Sequence, residues 1–176
     1  MVVKKSDTVK TEVWHNEDET HRYFMKKTWD NKMPSVMVIT LYPTSLNTLY
    51  EDMTTRLIFN QWQDKDVGSI VYVNLYSKLS ATGKNKQSLL GAYDKETDDV
   101  ILSQALKCEQ IVFAWGSLPQ MNKQVSQRVE ELVERLQPLK VSTGYLTDEK
   151  GKACIHPLSP KVRHRWCINV MDKGIN

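Results

Sequence analysis

The apolar and polar positions of the chain fall into alternating strand-like and helix-like segments. Four short runs rich in apolar and β-branched residues predict buried strands, at residues 35–42 (SVMVITLY), 69–76 (SIVYVNLY), 110–115 (QIVFAW) and 140–146. The segments between them place apolar residues on one side of a helix and predict helices at residues 51–64, 94–107 and 119–137. Residues 83–91 are polar and predict a loop.

This order of elements predicts an α/β fold. Strands that are apolar on both faces and joined by helix-length segments are typical of a parallel sheet covered on both sides. We therefore expect a three-layer α/β/α sandwich with a central, mainly parallel four-stranded sheet. The length of 176 residues suits one domain, since a domain takes roughly 150 residues. Residues 1–19 are polar and mixed in charge, so we expect a flexible N-terminal segment followed by a single domain at residues 20–176.

Composition excludes several classes of protein. A hydrophobic fraction of 40% and a charged fraction of 26% are ordinary for a globular domain and exclude collagen, coiled coil and general disorder. No apolar run approaches the roughly 18 residues of a membrane span, and the first residues are too polar for a secretory signal. The three cysteines are odd in number and far apart, which argues against a disulfide framework or a four-thiolate metal site. We expect a cytoplasmic protein with no metal or other cofactor and no membrane contact.

Charge is distributed unevenly. Residues 150–176 hold six Lys or Arg and one acid, a net charge of +5, whereas residues 1–149 hold 18 bases and 20 acids, a net charge of −2. A basic end on a near-neutral body can face phosphate groups or can simply be a solvated, solubilising tail.

Polar or aromatic residues follow each of the four predicted strands. In open α/β sheets ligands bind outside the carboxyl ends of the strands, so these positions are the candidate site. They are residues 42–45 (YPTS), Asn74, residues 115–117 (WGS) and residues 155–161 (IHPLSPK). Taken singly, each could be structural; together they indicate a site at one edge of the sheet.

These motifs resemble the uracil-DNA glycosylase superfamily, and more closely an allied bacterial and phage family of unknown function. The resemblance covers about residues 21–168 and includes residues 21–24 (HRYF) before Trp29, Tyr42-Pro43, residues 72–75 (YVNL), residues 114–116 (AWG) and residues 156–160 (HPLSP). It implies a water-activating loop after the first predicted strand, a strand-end Asn, and a His-Pro-Ser-Pro type loop, which is the most specific of these motifs.

The resemblance implies a role for each matching residue. The glycosylases place a water-positioning Asp directly before a Pro, and here Tyr42 precedes Pro43. Tyr42 is a poor base near neutral pH because the usual pKa of tyrosine is about 10. The ring that excludes 5-methyl pyrimidines falls at Thr44, and the family's next His falls at Ser45. Asn74 matches the residue that reads the edge of a flipped pyrimidine, and His156 matches the one that stabilises charge on the base oxygen.

The same resemblance implies a nucleic-acid rim. Ser159 and Pro160 match the Ser-Pro that contacts backbone phosphate. The segment containing Lys161, Arg163, His164 and Arg165 lies where the family carries its DNA-inserting loop, with Val162 as its only candidate wedge.

Three hypotheses follow. The first is a glycosylase-like pseudoenzyme that acts by binding DNA, or an acidic protein inhibitor that mimics DNA. The second is an active DNA glycosylase for a modified base with a non-standard catalytic residue, either Tyr42 in a new role or one of the nearby acids Glu51 and Asp52. These acids also fit the first turn of a helix. The third is a nucleotide-binding or metabolic α/β protein, which is weakened because the chain has neither a Walker loop nor a G-x-G-x-x-G motif.

Overall fold

A mixed seven-stranded sheet with four α-helices runs through the part of the chain that is described. The computed structural model describes residues 1–63, 65–79, 81, 86–151, 154–162 and 165–171. The strands are β1 (Lys10–His15), β2 (Arg22–Thr28), β3 (Ser35–Thr40), β4 (Ser69–Asn74), β5 (Gln110–Phe113), β6 (Ser142–Thr147) and β7 (Cys167–Val170). The helices are α1 (Met53–Trp62), α2 (Lys95–Ala105), α3 (Leu118–Met121) and α4 (Lys123–Leu136), and short 3₁₀ turns lie at Lys86–Leu89 and Gln137–Leu139.

The sheet has the order β1-β2-β4-β3-β5-β6-β7. Its centre, β4-β3-β5-β6, consists of the four strands that the sequence predicted, and these are parallel to one another. The outer strands β1, β2 and β7 pair antiparallel. The prediction of an α/β fold is confirmed, whereas the prediction of a mainly parallel four-stranded sheet is wrong.

Among the missed strands, β1 and β2 carry charged side chains and β7 is only four residues long, so none of them shows the continuous apolar run of a central strand. Strand β2 shows why: Lys27 is buried in it, with its ammonium group 2.7 Å from the carboxylate of Glu51. Strand β1 lies within the segment 1–19 and pairs with β2 from Lys10 to His15. Strand β7 pairs with β6 near the end of the described chain.

Two apolar cores lie on opposite faces of the sheet, as alternating residues of the central strands require. One contains Met37 and Ile39 together with the buried sides of α2 and α4. The other contains Val36 and Val38 together with Ile58 and Trp62 of α1.

The bounds of several elements differ from the prediction for local reasons. The strands predicted to end at residues 42, 76 and 115 end two residues earlier, so Tyr42, Tyr76 and Trp115 lie just past the sheet and pack on its core. The single helix predicted at residues 119–137 is two helices. It is interrupted at Asn122, whose extended backbone ends α3 and whose side chain accepts hydrogen bonds from the first amides of α4. Part of the predicted loop 83–91 is the 3₁₀ turn at Lys86–Leu89, and residues 83–85 lie outside the described residues.

Candidate functional site at the carboxyl edge of the parallel strands

The four parallel strands end at the same edge of the sheet. Thr40 lies opposite Asn74 in the pairing of β3 with β4, and β5 and β6 end nearby in the same direction. The loop after β6 returns to this edge, because His156 packs against Gly116. A Cβ atom added at Gly116 would lie only 3.0 Å from the Cβ of His156. The backbone φ of Gly116, +78°, also favours glycine at this position. The fold therefore brings the ends of all four strands and His156 to one edge.

The side-chain amide of Asn74 is buried and already hydrogen bonded on both sides. Its Nδ2 donates to Oγ1 of Thr40 over 2.7 Å, and its Oδ1 accepts from Nη2 of Arg22 over 3.2 Å. The side chain is only 4% exposed. One hydrogen on Nδ2 and one lone pair on Oδ1 are left for a ligand, so a base could be read here only by sharing the amide with Arg22 and Thr40.

Arg22 is a site residue that the sequence analysis did not single out. It begins β2 and is 6% exposed; its second hydrogen bond runs from Nη1 to the backbone oxygen of Ser45 over 2.9 Å. Nε is buried without a hydrogen-bond partner. Burial lowers the pKa of Arg22 to about 10, and the negative charge of Asp52 opposes this effect. In the sequence, Arg22 was only part of the motif at residues 21–24 (HRYF), with no role assigned to it.

Tyr42 packs against the core that contains α2 and α4. The Tyr42 ring stacks on the ring of Tyr76 with centroids 5.5 Å apart, and Tyr42 is half-buried with its hydroxyl unpartnered. Burial raises the pKa of Tyr42, so its phenol is protonated at neutral pH and cannot act as a base there. Pro43 is buried.

Thr44 and Ser45 link the loop to Asp52 and Arg22. Thr44 is exposed, and its hydroxyl donates to a carboxylate oxygen of Asp52. The hydroxyl of Ser45 accepts from the amide of Asn47, while its carbonyl accepts from Arg22. Both residues thus hold the loop that follows β3.

The two acids offered as substitutes for the missing Asp have structural partners. Asp52 is the N-cap of α1, since its Oδ1 accepts from the amide of Thr55 over 2.8 Å. Glu51 pairs with the buried Lys27 and with Arg56. Asp52 nevertheless lies close enough for its charge to affect the pKa values of Arg22, Tyr72 and His156.

His156 lies in a small cleft beside the turn after β5. Its Nδ1 accepts from the amide of Leu158 over 3.2 Å, which places the proton of the neutral ring on Nε2. Burial lowers the pKa of His156, with Asp52 opposing, so the ring is neutral at pH 7. The cleft has a volume of about 220 Å³ and is lined by Gly116, Ser117, Gln120, Cys154, Ile155, His156, Ser159 and Lys161. The structure thus places His156 in one cleft with Ser159 and Lys161. Asn74 is hydrogen bonded to Arg22 and Thr40, and Arg22 in turn is hydrogen bonded to Ser45.

The predicted phosphate rim is exposed where it is described. Lys161 and Pro160 are exposed, and Ser159 is half-buried. Arg165 is exposed and pairs with Glu149 over 3.2 Å. Val162 is fully buried and offers no wedge for insertion into DNA. Arg163 and His164 lie outside the described residues.

Tyr72 is a second polar group that sequence reasoning missed. It lies two residues before Asn74 in β4 and therefore on the same face of the strand. Its hydroxyl is buried without a hydrogen-bond partner. Burial raises its pKa well above the usual range, with the charges of Glu51 and Asp52 adding to the effect. In the sequence it was indistinguishable from an ordinary core aromatic residue.

The protein thus has a mixed α/β fold, with a polar site at the carboxyl ends of its parallel strands. The chain belongs to the DUF1643 family of proteins of unknown function, whose model matches residues 22–158. No curated protein and no solved structure was found to match. In the described part of the chain no helix is long and apolar enough to cross a membrane. No three His, Cys, Asp or Glu side chains within those same residues are grouped to hold a metal ion.

Proposed function

We propose that this protein is a uracil-DNA glycosylase-like protein that binds DNA without excising a base. The proposal includes the finer fold assignment, a three-layer sandwich of the glycosylase type. It is supported by helices packed on both faces of the sheet and by the order of the motifs along the chain. The observation that supports binding over catalysis is the state of Tyr42, which the resemblance places where the glycosylases carry their water-positioning Asp.

Tyr42 lacks the properties of a general base. Its ring is stacked on Tyr76, and burial raises its pKa. This position therefore offers no ionised oxygen that could take a proton from a water molecule. Asp52 caps α1 and Glu51 pairs with Lys27 and Arg56, so both acids already have structural partners. The base-reading position is also restricted, because Asn74 shares its amide with Arg22 and Thr40.

Binding depends on a different set of residues. Ser159 and Lys161 line the cleft beside His156, and Arg165 lies on the same loop with its guanidinium exposed. Ammonium and guanidinium groups at an exposed rim contact phosphate oxygens and release counterions, which makes the affinity fall with salt. Tyr42 is not among the residues that line this cleft, so loss of catalysis leaves the rim intact.

The proposal is tested by fluorescence titration of a labelled DNA duplex at low and at physiological salt. We compare wild type with the double variant Lys161→Glu and Arg165→Glu. The matched control is Lys107→Glu and Lys140→Glu, which changes the net charge equally at two exposed lysines just before β5 and β6. We expect the rim variant to lose about tenfold or more in affinity at low salt and the control to change by less than about twofold. Equal losses in both variants, or no salt-dependent binding by wild type, would overturn the proposal. A parallel titration with an acidic DNA-mimicking inhibitor shows whether a protein is the better ligand.

An active glycosylase for a modified base is the second candidate, and the charge of Asp52 acting on His156 favours it. The test is base release from oligonucleotides that contain uracil or another modified base, with Asp52→Asn as the variant. Release by wild type that Asp52→Asn abolishes would establish this candidate in place of the pseudoenzyme. We expect no release from either protein.

A further inference from the structure

Two arginines are buried among the described residues, and only one of them has an ionised partner. Arg128 is 2% exposed, and its guanidinium contacts both carboxylate oxygens of Asp98. Its Nε donates to the backbone oxygen of Leu75, and its Cζ lies 3.9 Å above the ring of Tyr93. This buried cation is neutralised and almost completely hydrogen bonded.

Arg22 is buried to a similar degree and lacks such compensation. Its two hydrogen-bond acceptors, the carbonyl of Ser45 and the amide oxygen of Asn74, are both neutral. No carboxylate of the described residues lies within 4.0 Å of its guanidinium, and its Nε has no acceptor. A buried charge without a counterion costs free energy, and the cost is recovered when an anion binds.

The position of Arg22 is the one where ligands bind in this class of fold. It lies at the carboxyl ends of β3 and β4, bonded to the end residue Asn74. Its other contact is Ser45, in the segment of residues 41–52 that has no helix or strand. This loop covers the guanidinium with a single backbone hydrogen bond.

A second unpartnered group lies on the same face of β4. The hydroxyl of Tyr72 is buried, has no partner, and belongs to a residue two positions before Asn74. Hydroxyl, amide and guanidinium hydrogens are the donors that hold carboxylate or phosphate oxygens in proteins. Asp52 is the nearby negative charge, but its carboxylate is held by Thr44 and Thr55 rather than by Arg22.

We propose that Arg22, Asn74 and Tyr72 form a binding site for an oxyanion, a carboxylate or phosphate group of a small ligand, beneath the loop of residues 41–52. The guanidinium of Arg22 supplies the charge, and Asn74 and Tyr72 supply neutral donors. This site is separate from the rim of Ser159, Lys161 and Arg165, and it does not depend on the proposed DNA binding.

The test is thermal unfolding of the full chain in inorganic phosphate, in acetate, and in sodium chloride of equal ionic strength. Ligand that binds only the folded state raises the unfolding midpoint. We expect phosphate or acetate to raise the midpoint of wild type by a few degrees above the chloride reference. The anion that gives the larger shift identifies whether the ligand is a phosphate or a carboxylate.

Variants assign the shift to Arg22. In Arg22→Met the anion-dependent shift, measured against the variant's own midpoint in chloride, should vanish because the guanidinium is gone. Arg22→Gln, which can keep hydrogen bonds to Ser45 and Asn74, should also lose the shift, and it decides the question if Arg22→Met does not fold. The rim variant Lys161→Glu and Arg165→Glu should keep the shift. A shift retained without the Arg22 guanidinium, or no anion-specific shift in wild type, would overturn the proposal.

Discussion

Arg22 donates a hydrogen bond from Nη2 to Oδ1 of Asn74 over 3.2 Å, and this contact joins β2 to the end of β4. The amide that the glycosylase resemblance assigns to a flipped pyrimidine is thus oriented by a buried cation of the neighbouring strand. Thr40 fixes the other side of the same amide. The orientation of Asn74 is therefore set by the protein itself before any ligand binds.

Asn74 tests this relationship directly. Asn74→Asp puts a carboxylate where Oδ1 now accepts from Arg22, and the Thr40 hydroxyl can rotate to donate to it. We expect the free energy of unfolding of Asn74→Asp at pH 7 to equal or exceed that of wild type. Asn74→Leu removes the partners of Arg22 Nη2 and of the Thr40 hydroxyl and should cost about 1–3 kcal/mol. Urea unfolding measures both, and equal destabilisation by the two variants would contradict the assignment.

The sequence predicted the centre of the fold because its strands are buried on both faces. The runs at residues 35–42 and 69–76 have no charged residue, so their burial follows from composition alone. Strand β2 could not be predicted in this way, since its buried Lys27 has its partners, Glu51 and Thr11, at distant positions in the chain. The break at Asn122 was missed because the apolar face of α4 begins at Val125, and the residues before it also suit a helix.

The candidate site was predictable only in part for a similar reason. Asn74 could be placed at the end of a central strand from the local pattern. Its partner Arg22 could not, because that contact depends on an antiparallel strand that the pattern did not predict. Likewise, the sequence identified Tyr42 as the residue before Pro43 but did not reveal its stacking on Tyr76, which depends on where β3 and β4 end.

Asp52 should behave as a helix cap. Asp52→Ala removes the acceptor for the Thr55 amide and should lower the free energy of unfolding by about 0.5–2 kcal/mol. Asp52→Asn keeps an N-cap oxygen and should retain most of that stability. Urea unfolding of the two variants separates the stability that comes from the cap hydrogen bond from the stability that comes from the carboxylate charge. Equal losses in both variants would show that the carboxylate charge, rather than the cap, stabilises the protein.

The three cysteines should differ in reactivity. Burial raises the pKa of Cys108 to about 11 and that of Cys154 to about 12, so both are protonated and shielded in the native protein. Cys167 is only half-buried. Since the thiolate is the reactive form, we expect a colorimetric thiol reagent at pH 8 to label Cys167 first. Cys108 and Cys154 should react only after unfolding in urea. Rapid labelling of all three thiols in the native protein would contradict this packing.

His156 should make the protein less stable in acid. Burial lowers its pKa below the ordinary value of 6.5, and the charge of Asp52 only partly opposes this. Between pH 7 and 5 the unfolded chain therefore binds the proton more readily than the folded protein does. Stability is consequently lost as the pH falls through 6.5. We expect His156→Gln to lose less stability over this range than wild type.

The matched control is His15→Gln, the same substitution at an exposed position that does not line the cleft. Asp52→Asn should act in the opposite sense to His156→Gln, since removing the opposing negative charge lowers the pKa of His156 further and steepens the loss in acid. If His156→Gln keeps the full acid sensitivity of wild type, another group is responsible. In that case burial in the cleft beside Gly116 is not what keeps the imidazole of His156 neutral.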